Sequence, residues 1–81
     1  MNEIGRELKA SELKLKTIVV IRREDRPGMA VTGWVRELGQ DFVIFYSGAI
    51  KTKLLTYLRE DGELVDDTGK RIIVNEYLGE V

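Results

Sequence analysis

Leu13-Lys14-Leu15-Lys16-Thr17-Ile18-Val19-Val20-Ile21-Arg22-Arg23 alternates as an extended chain does. Leu13, Leu15, Thr17, Val19 and Ile21 fall on one side, and Lys14, Lys16, Ile18, Val20 and Arg22 on the other. The centre of this run is apolar on both faces, which predicts a strand in the middle of a sheet or barrel with both sides partly covered. Glu24-Asp25-Arg26-Pro27-Gly28 follows. A fixed φ at Pro27 beside the permissive Gly28 predicts a chain-reversing turn there.

Residues 29–38 return as a second strand. Met29, Val31, Gly33 and Val35 share one face, and Ala30, Thr32, Trp34, Arg36 and Leu38 the other. Glycine inside a strand marks a bulge or a close backbone approach, so Gly33 points to a sharply coiled sheet. After Gly39-Gln40-Asp41, the run Phe42-Val43-Ile44-Phe45-Tyr46 predicts a buried third strand, ended by Ser47-Gly48. Residues 50–58 fit two periods. Ile50, Leu54, Tyr57 and Leu58 suit a helix, whereas Ile50, Thr52, Leu54, Thr56 and Leu58 alternate with Lys51 and Lys53 outward; the two threonines favour a strand. Asp61-Gly62 and Asp67-Thr68-Gly69 then set two successive hairpins, ending near Tyr77. At the other end Ile4 and Leu8 lie four apart in a charged stretch, which suits a short helix or an arm docked by those two side chains, with Gly5 against the helix.

Together these segments predict a mainly β single domain over residues 1–81. Residues 1–12 form an N-terminal arm or short helix and residues 13–81 a β-rich core. The core is a small barrel or rolled antiparallel sheet of five or six short strands, with a short helix at the N-terminus or over residues 50–58 as the exception. Closing or rolling so small a sheet hides its edges.

The apolar strand ending at Ile21, the turn glycine Gly28 and the return Gly33-Trp34-Val35-Arg36-Glu37-Leu38 resemble the opening hairpin of SH3-like small barrels. More narrowly they resemble the KOW element of ribosomal and transcription-factor barrels. The likeness covers about a quarter of the chain. It departs from the KOW pattern in having four residues between Gly28 and Gly33 and Pro27 in place of a lysine. It implies barrel geometry, and RNA or ribosome binding as a function.

The chain has 81 residues, 43% hydrophobic and 33% charged, enough for one small core. It contains neither Cys nor His, so disulfides, thiolate sites, thiol nucleophiles and imidazole acid–base chemistry are excluded. Ser11 and Ser47 have no histidine to activate them, Gly69-Lys70 lacks the rest of a phosphate loop, and Asp61, Glu63, Asp66 and Asp67 have the wrong spacing for an EF-hand. We therefore expect no enzyme, no cofactor, no metal and no small-molecule substrate. The apolar runs are too short for a membrane span, and Met1-Asn2-Glu3-Ile4 is not the start of a secretory signal, so a cytoplasmic location is expected. The net charge of −1 conceals an asymmetry: residues 1–53 carry ten Lys/Arg against seven Asp/Glu, and residues 54–81 three against seven.

Two candidate surfaces follow. Lys14, Lys16, Arg22, Trp34 and Arg36 fall on the even-numbered face of the first two strands, where cations would hold phosphates and Trp34 would stack a base. The competing reading makes the cations a solvated face and buries Trp34. Arg22, Arg23 and Arg26 also surround the Pro27-Gly28 turn, as candidate anion ligands among Glu24 and Asp25. The second surface is aromatic: Phe45, Tyr46, Tyr57, Tyr77 and Leu78 exceed what one thin core easily conceals, and such residues dominate protein interfaces. The expected function is a small non-enzymatic protein–protein interaction module, of a size that suits a bacterial or phage accessory protein, binding another protein or itself as a homodimer. The alternative is a nucleic-acid or ribonucleoprotein accessory factor using the basic face with Trp34.

Overall fold

A computed structural model describes residues 2–80. Seven strands, β1 (Asn2–Glu7), β2 (Ile18–Arg23), β3 (Val31–Leu38), β4 (Phe42–Ser47), β5 (Thr52–Leu58), β6 (Leu64–Val65) and β7 (Arg71–Glu80), form one antiparallel sheet in the order β1-β7-β2-β3-β4-β5-β6. β6 also pairs with β7, so six strands close into a barrel and β1 adds to the outside of β7. The only helical element among the described residues is a single 3-10 turn, Ala10–Glu12. No helix there is long and apolar enough to cross a membrane.

The alternation in the sequence is the alternation in the barrel. Val19 and Ile21 of β2, Val35 of β3, Val43 and Phe45 of β4, Leu64 of β6 and Val74 of β7 make the buried core, joined by Leu13 from the segment before β2. Of residues 50–58, 52–58 resolve as strand, and Ile50 and Lys51 belong to the turn before it, Lys51 with φ 51°. β5 pairs with β4 from Phe42↔Tyr57 to Ser47↔Thr52 without a slip, and the buried Thr56 hydroxyl donates to the Val43 carbonyl at 2.8 Å. Gly62 and Gly69 take positive φ (85° and 84°) in the two hairpin turns, as Asp-Gly and Thr-Gly turns require.

Two expectations need correction, and the alternatives at Gly33 are resolved. Residues 2–7 are neither helix nor loose arm but a strand, paired to β7 through Asn2↔Glu80, Glu3↔Gly79, Ile4↔Tyr77 and Glu7↔Asn75 with two register shifts. Gly5 makes this possible, since a Cβ there would lie 2.8 Å from the Cβ of Glu76, and Asn75 donates its side-chain amide to the Gly5 carbonyl at 3.0 Å. Leu8 packs on the core, but Ile4 remains 51% exposed. Residues 13–17 are not strand: Lys16 has φ 68°, and the turn drops Leu13 into the barrel end while leaving Leu15 exposed. The bulge of β3 sits at Arg36, where the register with β4 shifts between Val35 and Glu37, and not at Gly33. Gly33 instead permits the close approach, because its missing Cβ would sit 2.7 Å from the Tyr46 carbonyl oxygen.

The two barrel ends differ. Leu8, Ala10 and Leu13 cover one end. The other lies among the turns after β2, β4 and β6 and opens into a groove of about 570 Å³ with Ile21, Val31, Leu54 and Ile72 on its apolar floor.

Ion pairs tie distant segments across the outside. Arg71 reaches Glu7, Glu24 and Glu63, Arg6 bridges Glu12 and Glu76, and Arg23 joins Asp25 to Asp66. The Arg6 guanidinium, with help from the Lys9 N–H, holds the Glu12 carboxyl at about 2 instead of 4.5. Asp25 is lowered chiefly by Arg23 and Asp66 chiefly by the Thr68 hydroxyl. Carboxylates bound more tightly in the folded state stabilise it above their ordinary pKa, and that contribution is lost as pH falls through the folded value. We expect the urea midpoint to be level from pH 7 to about 5 and to fall below about pH 4, with Glu12→Gln flattening part of the decline. A midpoint unchanged down to about pH 2.5 would contradict this linkage.

Candidate functional site

Directly paired residues of an antiparallel sheet project to the same face. The pairs Ile18↔Trp34, Trp34↔Tyr46 and Tyr46↔Lys53 therefore lay one continuous row across the outside of β2, β3, β4 and β5. Trp34 is 36% exposed and Ile18 52%. The rings of Trp34 and Tyr46 lie 4.7 Å apart at 49°, and the Arg36 guanidinium stands over the Tyr46 ring, 5.7 Å from its centroid. The next pairs, Ile44↔Leu55 and Phe42↔Tyr57, extend the apolar band, with Leu55 and Tyr57 both exposed.

Comparison with protein families, curated proteins and solved structures finds no match.

The structure brings Trp34 and Arg36 together on this face and adds Tyr46. It separates the other candidates. Arg22 lies on the same outer side of β2, four residues from Ile18, at the rim of the open barrel end. Lys14 and Lys16 are exposed in the turn before β2, Lys16 being fastened by its N–H to the Val35 carbonyl at 2.7 Å. Arg23 does not face outward with them, because Asp25 and Asp66 hold it. Arg26 lies in the turn and, with Arg22 and Arg23, lines the open barrel end. Among the aromatic candidates, Phe45 has no exposure and is core rather than surface, since β4 points its odd positions inward. Tyr46 and Tyr57 are on the outer face. Tyr77 is half-buried and Leu78 exposed, both on the part of β7 that receives β1.

Two participants, Ile18 and Lys53, were not among the sequence candidates. Alternation marks both as outward, but only the register shows that they flank Trp34 and Tyr46. The turn carboxylates have local duties instead: Asp61 accepts the Glu63 N–H, and Asp66 accepts the N–H groups of Thr68 and Lys70.

Proposed function

We propose that the protein is a non-enzymatic interaction module that binds another protein through the Trp34–Tyr46 face. The observation that carries this reading is the position of its one tryptophan. Trp34 lies outside a core that is already filled, alongside Tyr46 and exposed Ile18. Tryptophan and tyrosine backed by arginine are the side chains that dominate binding energy at protein interfaces. A closed six-stranded antiparallel barrel also supports the likeness to SH3-like small barrels, whose hairpin of β2 and β3 is the stretch that resembles a KOW element. A cytoplasmic location accords with this reading.

A second reading, single-stranded nucleic acid, is favoured by one specific contact. Arg36 over Tyr46, beside Trp34 and opposite Lys53, puts stacking surfaces between cations. The two readings separate on salt. Nucleic-acid affinity would fall steeply between ~50 and ~200 mM salt, whereas an apolar protein contact would persist.

Trp34→Ala tests the site. It should stay folded, losing about 1–2 kcal/mol of packing, while affinity for a protein partner falls ~30-fold or more. Partner recovery equal to wild type by affinity capture, or micromolar binding of single-stranded oligonucleotides that disappears with salt, would displace the protein-binding reading. Sedimentation across a concentration series establishes whether that partner is a second copy.

A further inference from the structure

The barrel closes through a narrow seam. β5 pairs with β6 only at Tyr57↔Val65 and Leu58↔Leu64, so beyond Tyr57 the edge of residues 52–56 has no neighbour among the described strands. The parity of this edge is fixed. The Leu58 N–H donates to the Asp41 carbonyl, so the even residues of β5 direct their backbone groups to β4 and the odd residues direct theirs away. Arg59, whose N–H reaches the Glu63 carbonyl, follows the same parity. Lys53 and Leu55 thus direct two N–H and two C=O groups away from β4, the Lys53 carbonyl accepting only a long 3.4 Å contact from the exposed Thr52 hydroxyl, and they face the groove at the uncovered barrel end, which both residues line.

The groove has two sides of different chemistry. Its floor is apolar, with Ile21, Val31, Leu54 and Ile72. Its rim carries Arg22, Arg26 and Lys53, which make no ion pair among the described residues, whereas Arg23 is held by Asp25 and Asp66. Asp66 is engaged in its own turn, leaving Asp67 as the opposing carboxylate on the far lip. A second copy of β5 would bring Lys53 and the arginines against their own kind, so the charge argues against self-pairing.

We propose that the open edge of β5 takes up an extended segment of an acidic partner protein as an added antiparallel strand. Backbone bonds to Lys53 and Leu55 supply register, as in other strand-addition complexes. The residue opposite Lys53 shares its outward face and is acidic, answering Lys53 and Arg22. Its neighbour in the peptide turns inward onto Leu54 and the floor and is β-branched or otherwise apolar. The ligand class is therefore an alternating acidic–apolar strand. This rests on the domain being a protein-binding module; Lys53 and Leu55 also border the outer face, but the bonds proposed here are to the β5 backbone and the groove, two strands from Trp34.

The probe is a fluorescein-labelled eight-residue peptide of alternating Glu and Val, titrated with the full chain by anisotropy, with a Lys-for-Glu peptide as control. Saturable binding of the Glu peptide alone is expected, with amide shifts at Lys53 and Leu55 in a proton–nitrogen spectrum. Arg22→Glu with Arg26→Glu should weaken it ~10-fold or more. N-methylation of the peptide's Glu nitrogens, which face the edge, should abolish binding, and N-methylation of its Val nitrogens should spare it. Trp34→Ala should leave the affinity within about threefold, because that side chain is on β3, two strands from the β5 edge. No saturation at ~1 mM, equal binding of both methylated peptides, or a β5-paired dimer that excludes the peptide would each overturn the proposal. Loss of peptide binding with Trp34→Ala would also overturn it while leaving the outer-face reading standing. Retained peptide binding together with an unaffected natural partner would remove the outer-face reading instead.

Discussion

Phe45→Ala is expected to bring the domain to the edge of unfolding at 25 °C, with up to about half of the molecules unfolded. Phe45 has no exposed surface, pairs with Val35 and Leu54 across the sheet, and is the largest fully buried side chain. Truncating such a ring costs ~3–5 kcal/mol through lost transfer energy and the cavity left behind. An 81-residue domain without cysteine has stability near the low end of ~5–15 kcal/mol, so little remains. Far-ultraviolet circular dichroism and urea titration read the result. Phe45→Leu, closer in volume, should fold with a loss nearer ~1.5 kcal/mol. An alanine variant melting within a few degrees of wild type would mean that the ring is not the centre of the core.

Gly33→Ala is expected to cost ~2–3 kcal/mol although it adds a single methyl group. The new Cβ would meet the Tyr46 carbonyl oxygen at 2.7 Å and the Ile21 Cδ1 at 3.2 Å. The Ile21 methyl can rotate aside, but the Tyr46 backbone, in β4, is held on both sides by pairing with β3 and β5. Relief therefore requires the two strands to part. Gly28→Ala is the matched control: nothing lies within 4 Å of its Cβ position, so its midpoint should stay within ~0.5 kcal/mol of wild type. Because Gly33 adjoins Trp34 and its contact is the backbone of Tyr46, the same variant should change indole emission, which the control should not.

Much of the barrel was legible because period-two alternation depends on which residues are apolar and not on what they touch. Val19 with Ile21, and Val43 with Phe45, share a face as their spacing predicts, and in the structure these faces and Val35 point inward. The positive-φ turns at Gly62 and Gly69 were equally local. β1 was not legible. Its only strand-like feature is a partner some seventy residues away, and the spacing of Ile4 and Leu8 mimics a helical turn. The site was half legible. The alternation placed Trp34 opposite Gly33 and Val35, but with Ile18 and Val20 on its own side it did not say which face was the core. Only the Trp34↔Tyr46 register, and the Arg36 bulge that lifts the guanidinium over that ring, assemble the face.

β7 has one further consequence, for the order in which the molecule is made. β2, β3, β4 and β5 are joined by short turns in sequence order, so each can pair with its predecessor as it leaves the ribosome. β1, β2 and β6, however, each also need β7 as a neighbour, and β7 is synthesised after every one of them. Until residues 71–80 emerge, the nascent meander carries Val19, Val35 and Phe45 on an unrolled sheet. Folding to the closed barrel is thus a late, long-range event of the kind that proceeds slowly and exposes a chain to chaperones and to mispairing.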